Sequence, residues 1–560
     1  MIVSLSSILL KPYWSKLLIL LALAIAFFTY LPTTKYNFVW DDDGYIVDWN
    51  QTQNFGIKDF LAGAQPGFHS GVYRPIRNLA YPLSFDICRL NPSCYHLQAI
   101  VFHLICGILV YFIAEKLSNS LSLSLFSTLV FLFHPINLES VAWITASFDL
   151  IGIIFALASF NFYLDYINSH KPKHVTFYLS LIASFLAFFS NEITLILPLI
   201  TLAHWFIYSP AKLQLNATTN TRSKLLQIKY ILYILFIAAS YVPIRLMMMG
   251  ESLRRLTIPV NLIERLVLVI HIIFEYVRTF TLPFNLSINH LLAPDTPALY
   301  YLDRGLTPFV LPVDSGVQLQ ALVIIGLVIL AIKLRRSHSL ITFGLGWMFL
   351  SLLPVAQFLP QAVLFSERYA YLASIGCAFI VAGILSIFTT RIVPSGSFAP
   401  RSVYGSIYIN LLSILIVPLM GLYIYKLRHR LPDWKNDFTL WNSVLIHQPQ
   451  SASALNGVGS GYLQTNDYQR ALPYFQQAAS DNPAITTYRI NYITTLEKVG
   501  ETHTLIKVLE EYLHDFPNST EAITRLIRAH NQTGNTTTAD VYRQQLRQLQ
   551  NQPPANNQSN

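Results

Sequence analysis

Three carboxylates stand side by side at Asp41, Asp42 and Asp43, between Trp40 and Gly44. Like charges at that spacing repel, so at least one of the three holds its proton more tightly than a free aspartate. A carboxylate poised in that way suits a general base that takes the proton from a hydroxyl group. The cluster also suits a divalent metal ion, because hard cations prefer oxygen ligands; a solvated acidic turn is the plainer alternative. Other polar residues gather at the ends of long apolar stretches: Arg74 in Tyr73-Arg74-Pro75, His134 and Glu139, Asp149, Glu192 after Ser190-Asn191, and Arg368 between Glu367 and Tyr369. Arginine forks onto phosphate through two parallel N–H donors. For any single arginine beside an apolar run, snorkelling to lipid headgroups is the plainer role.

The elements that must hold these residues are membrane helices. The 560 residues are 53% hydrophobic and 12% charged, about half the ionic content of a soluble chain, and the mean hydropathy is +0.44. The net charge of +9 comes mostly from short basic clusters beside apolar runs, where they orient helices; a nucleic-acid partner is excluded on that ground. A helix needs about 20 apolar residues to cross the hydrocarbon core. Eleven runs reach or approach that length, at 14–31, 97–114, 121–133, 150–164, 175–189, 193–208, 230–246, 317–332, 340–355, 371–388 and 404–425. The first begins beside Lys11 and Lys16 with no small-x-small cleavage site after it, and reads as an uncleaved span. A twelfth stretch, 261–281, sets Glu264, His271, Glu275 and Arg278 at spacings of seven, four and three, one face of a helix. Ionisable groups facing lipid cost a few kcal/mol each, so this helix lies in the interface or turns its stripe to a wet cavity.

Basic residues in the first half, including Lys116, Lys171 and Lys224, fall on the assigned inner side. In the second half the charges tie: eleven spans place Lys333, Arg335, Arg336, Arg391 and Arg401 inside, and twelve place Arg304, Arg368, Lys426, Arg428 and Arg430 there. Eleven spans, favoured by the polar stripe, put the C-terminal tail outside the cytoplasm, with large outer loops at 32–96 and 247–316. Cys88 and Cys94 lie together in the first of these and form a disulfide if it faces an oxidising compartment; Cys106 and Cys377 read as buried small residues.

The chain divides near Pro432 into a membrane domain, 1–431, and a polar tail. Pro449, Pro483 and Pro517 recur at 34 residues, as do Gly500 and Gly534. Gly459, Tyr462, Ala471, Phe475, Ala478 and Pro483 fall at the consensus offsets of a tetratricopeptide repeat, so 432–548 is expected to be an α-solenoid, a partner-docking surface or a plain spacer. The Asn-, Gln- and Pro-rich end, 549–560, is expected to be disordered. The fold class is all-α: a polytopic helix bundle followed by repeats.

Phe38-Val39-Trp40-Asp41-Asp42, Tyr73-Arg74-Pro75, Asn91-Pro92 with Tyr95-His96, and His103 resemble the first-loop pattern of multispanning glycosyltransferases joined to tetratricopeptide repeats. So do His134-Pro135…Glu139…Asp149, Glu192…Pro198, 283–287 and 367–372. This group comprises the transmembrane and tetratricopeptide-repeat-containing O-mannosyltransferases and bacterial relatives, within the type C glycosyltransferase superfamily. The resemblance implies about eleven spans, a catalytic acid in the first outer loop and a polyprenyl-phosphate sugar donor, consistent with the lack of a Gly-rich nucleotide loop. It implies that Asp41 or Asp42 activates an acceptor hydroxyl on a protein or glycan docked by the repeats. Arg74 and Arg368 would hold the donor phosphate, and Glu139 and Asp149 would shape the sugar pocket. Two departures stand out: Ser147, where relatives often carry a basic residue, and Asn191, where many have Lys. An oligosaccharide ligase or polymerase, and a non-catalytic scaffold, are the alternatives. A bacterial inner membrane with periplasmic repeats is the expected setting.

Overall fold

The computed structural model describes residues 12–48, 73–169, 174–208, 217–249, 261–293, 296–297, 299, 303, 315–358, 363–392 and 401–551. Parts of both large loops, the basic residues 11, 171, 173, 212 and 304 used in the charge comparison, and 552–560 lie outside the described residues. The chain divides into two units, one of Met1–Leu299 and Leu306–Asn436, the other of Tyr300–Gly305 and Asp437–Asn560. The boundary thus falls a few residues past the one read from composition, and a short piece of the second large loop goes with the tail.

In the first unit each of the eleven apolar runs lies on helix. Among the described residues six helices are long and apolar enough to cross a membrane: Leu17–Lys35, Pro92–Ser118, Ile144–Asn168, Leu225–Met248, Ser315–Leu334 and Glu367–Ile387. The chain is therefore an integral, multi-pass membrane protein. Leu121–Phe133 and Pro135–Ala142 reach that length together but are bent by 51°. The cause is Pro135, which has no N–H to give and forces His134 out of the helical region, to ψ 122°. His174–Phe188, Glu192–Tyr208 and Ser339–Val355 are shorter apolar helices.

Leu262–Thr281 starts on a capping box in which Asn261 and Glu264 bond each other's backbone N–H. The middle of its polar stripe is turned inward, where His271 is buried and bonds Gln320 at 3.1 Å, while Glu275 pairs at 2.6 Å with a partly exposed Arg278 and Glu264 is partly exposed at the start. Small residues bring spans together elsewhere, for Gly344 and Gly376 sit so close that a side chain on either would strike the other's backbone. The all-α reading has one small departure, an antiparallel pairing of Leu291–Ala293 with Thr296–Pro297. Cys88 and Cys94, left open by the sequence, are joined by a disulfide.

The second unit opens with the helix Asp437–Leu445, followed by three helix pairs. These are Ala452–Gln464 with Tyr468–Asp481, Thr486–Val499 with Thr502–Asp515, and Thr520–Gln532 with Thr536–Asn551. Corresponding helices begin 34 residues apart, the period of the prolines. Gly457 lies flat against Trp441, and Gly459 against Phe475, where a Cβ would not fit. Gly500 ends its helix in the left-handed region, φ 85°, as a C-terminal cap. Asp303 accepts from Ser451 Oγ at 3.0 Å and Ser453 N at 2.8 Å, fastening Tyr300–Gly305 to the start of the first pair. The last helix runs to Asn551, past the expected end at 548.

Candidate active site

After the 3-10 turn Leu31–Lys35 the chain is extended as far as Trp40, which adopts a left-handed φ of 56°, and it then enters the π-helical turn Asp43–Val47. That kink sends the three carboxylates in different directions. Asp42 is fully buried, with Oδ2 accepting from Val39 N at 3.0 Å and Oδ1 from Thr145 N at 2.8 Å and Thr145 Oγ1 at 2.5 Å. It fastens the first loop to the turn between the short helices Leu138–Ala142 and Ile144–Ser147. Burial pushes its carboxyl up to about 7, against the pull of those hydrogen bonds, and the charge of Asp41 adds least. The mutual repulsion expected from the sequence is therefore real but minor.

Asp41 is partly exposed, and among the described residues its carboxylate accepts no hydrogen bond. Burial pushes it up to about 6, while the nearby Arg368 guanidinium pulls the other way. Asp43 begins the π-turn, its carbonyl accepting from Asp48 N at 2.8 Å. Among the described residues no three His, Cys, Asp or Glu side chains converge as a metal-ligand set.

The remaining predicted residues form two ion-pair groups. Arg74 spends all three guanidinium nitrogens on carboxylates: Nε and Nη2 on Glu192 at 2.6 and 2.8 Å, and Nη1 on Asp149 at 2.8 Å. Arg77 adds a second donor to Asp149 at 2.9 Å. Arg74, expected to hold a phosphate, clamps together the helices Pro75–Cys88 and Asp149–Asn168 and the Glu192–Ile196 turn. Glu139, expected to shape a sugar pocket, is 1% exposed. It accepts from Arg368 Nη1 at 2.5 Å, Arg368 N at 3.3 Å and Ser366 Oγ at 2.7 Å, so it positions the strand of chain that carries Arg368. Glu367 is anchored by Arg430 at 2.7 Å and His290 at 3.0 Å. His134 is buried too, bridging Ile136 N and the Phe280 carbonyl at 3.2 and 3.1 Å; it serves as a structural latch.

Arg368 differs from Arg74. Among the described residues its one side-chain hydrogen bond is the one to Glu139. Its guanidinium lies 4.8 Å from the ring centre of Trp143 and 4.9 Å from that of Tyr369. Arg368 and Tyr369 line a hollow with Ser140, Ala146, Asp149 and Asn191. It measures about 10 Å³, room for about one water molecule. Asn191 reaches it because Gly152 has no side chain: a Cβ there would meet that of Asn191 at 2.7 Å.

The sequence reading missed Arg77, Thr145, Trp143, His290, Arg430 and Trp434. The spacing of Arg74 and Arg77 was a usable signal, because residues three apart share a helix face. The others join the site only through contacts between distant segments.

No protein-family model matches the chain. It is 24% identical over 478 residues to human protein O-mannosyl-transferase TMTC3, covering 77% of this chain and 47% of that one. It is 23% identical to mouse TMTC3, covering 73% and 44%, and 22% identical to a Caenorhabditis elegans protein O-mannosyl-transferase, covering 79% and 59%. The chain thus spans about half the length of these relatives. Their names agree with the resemblance carried by the first-loop motifs. Among solved structures it is similar to the apo Archaeoglobus fulgidus oligosaccharyltransferase, at 13% identity, 75% and 56% coverage and TM-score 0.40. It is also similar to apo ArnT from Cupriavidus metallidurans, at 13% identity, 88% and 79% coverage and TM-score 0.37.

Proposed function

We propose that this chain is a membrane glycosyltransferase that moves a hexose, mannose by resemblance, from a polyprenyl-phosphate donor to a hydroxyl of a protein or glycan on the non-cytoplasmic face. The observation that carries this reading is a carboxylate without a hydrogen-bond partner among the described residues, Asp41, within the electrostatic reach of Arg368, a cation that lines a hollow with Asp149 and Asn191. In the reaction Asp41 takes the acceptor O–H proton, and the oxygen forms a bond to the anomeric carbon from the face opposite the leaving group. The bond from that carbon to the phosphate oxygen breaks, and polyprenyl phosphate departs with the electron pair, its charge met by Arg368. The proton on Asp41 then passes to water.

The disulfide Cys88–Cys94 supports an oxidising, non-cytoplasmic side for the first loop, since such bonds persist outside reducing compartments. Eleven spans would put the tail on that same side. There its 34-residue helix pairs act as a tetratricopeptide solenoid that docks the acceptor, in a bacterial inner membrane with the repeats in the periplasm. The test is turnover of radiolabelled polyprenyl phosphomannose by membranes containing the wild-type chain or Asp41→Asn. Loss of sugar release in the variant is expected, and equal release by both would overturn the assignment.

One observation favours a second reading, that of a non-catalytic membrane anchor for the repeats: the hollow as it stands admits about one water. A transferase must open it to admit a sugar, and an anchor need not.

A further inference from the structure

Trp40 stacks on Trp143 with ring centres 4.6 Å apart and planes 9° from parallel, and Trp143 stacks on Trp434 at 6.2 Å and 21°. The three indoles form a column. Trp434 and Trp143 are its buried end, at 0% and 2% exposure, while Trp40 is partly exposed. Buried indole N–H groups ordinarily find an acceptor, yet those of Trp143 and Trp434 have none among the described residues. Trp40 also holds a φ of 56°, a left-handed region that strains a bulky side chain. A column built only to fill space needs neither the strained backbone nor the unmet donors.

We propose that Trp40 is the stacking platform for the hexose ring of the donor, an inference that rests on the function proposed above. The face of an aromatic ring is electron-rich and attracts the C–H edge of a pyranose, which carries slight positive charge. Trp40 is the residue before Asp41, and the Arg368 guanidinium lies 6.0 Å from its ring centre. Trp40 thus lies close to both the proposed base and the proposed phosphate-binding cation.

The test compares binding of polyprenyl phosphomannose and of sugar-free polyprenyl phosphate to the purified full-length protein in detergent, in Trp40→Phe and Trp40→Leu variants. Phe keeps the aromatic face, whereas Leu keeps apolar bulk without it. Trp40→Leu should weaken binding of the mannosyl lipid by about tenfold and leave the sugar-free lipid unchanged, while Trp40→Phe stays within about threefold of wild type. Equal behaviour of the two variants, or equal loss for both lipids, overturns the platform; so does a wild-type protein that binds both lipids alike. Binding needs no turnover. A wild type that discriminates through Trp40 but transfers nothing leaves the platform standing and removes the transferase.

Discussion

Asp41 and Asp42 are chemically identical neighbours, and what separates them is the company each keeps. Asp42 accepts three hydrogen bonds in full burial, whereas Asp41 is partly exposed beside Arg368. Burial holds the Asp41 carboxyl near 6, and a general base works only when ionised. Turnover should therefore be flat above about pH 6 and fall about tenfold per pH unit below it. Residual turnover in Asp41→Asn, measured across the same range, should lack that acid limb. Asp42→Asn is expected to act on stability instead, because an amide N–H would confront a donor from Thr145 or Val39. It should cost about 1–3 kcal/mol in detergent unfolding, with Thr145→Val losing a comparable part through the missing hydroxyl. The acidic cluster was legible as a site from three adjacent letters. Which member stayed uncommitted was not, because Thr145 is 103 residues away from Asp42.

At the scale of elements, the Arg74 clamp ties the outer-loop helix Pro75–Cys88 to Asp149–Asn168 and to the Glu192–Ile196 turn, whose apolar patterns say nothing of their order around the site. Arg74 and its partners Asp149 and Glu192 are 11%, 19% and 23% exposed, so removing the cation strands a poorly hydrated Glu192 and leaves Asp149 with Arg77 alone. Arg74→Ala should destabilise the first unit by about 3–5 kcal/mol, read as a lowered melting temperature in detergent. Arg74→Lys should recover only part of this, since an ammonium cannot fork onto Glu192 while bonding Asp149. A variant with native stability but weakened phosphate binding would return Arg74 to the role the resemblance implied. The bend at Pro135 was readable from sequence, but the latch that His134 makes to Phe280 across 146 residues was not.

For the whole molecule, topology is the decisive quantity. With eleven spans, the Cys88–Cys94 loop and the C-terminus share the non-cytoplasmic side. After reduction, a membrane-impermeant maleimide applied to intact cells should label Cys88 and Cys94, and a C-terminal protease-sensitive tag should be cleaved from outside. Labelling of the loop with a protected tag would mean that 261–281 crosses the membrane. The repeat period was plain in the sequence because stacked hairpins reuse the same small and aromatic residues at each turn. The contact of Asp303 with Ser451 left no such trace, since the two residues are 148 positions apart.

By itself the sequence determined that this is a membrane protein of many apolar helices, that a 34-residue helical repeat follows, and that three adjacent carboxylates stand in the first loop. Those properties are local or periodic, and burial against lipid or a neighbouring repeat writes them along the chain. Only the tertiary structure decided that Asp41 rather than Asp42 is uncommitted, that Arg74 is consumed while Arg368 remains available, and that three indoles stack beside them. Desolvation and pairing are set by partners from distant segments, and side-chain chemistry takes its meaning from those partners.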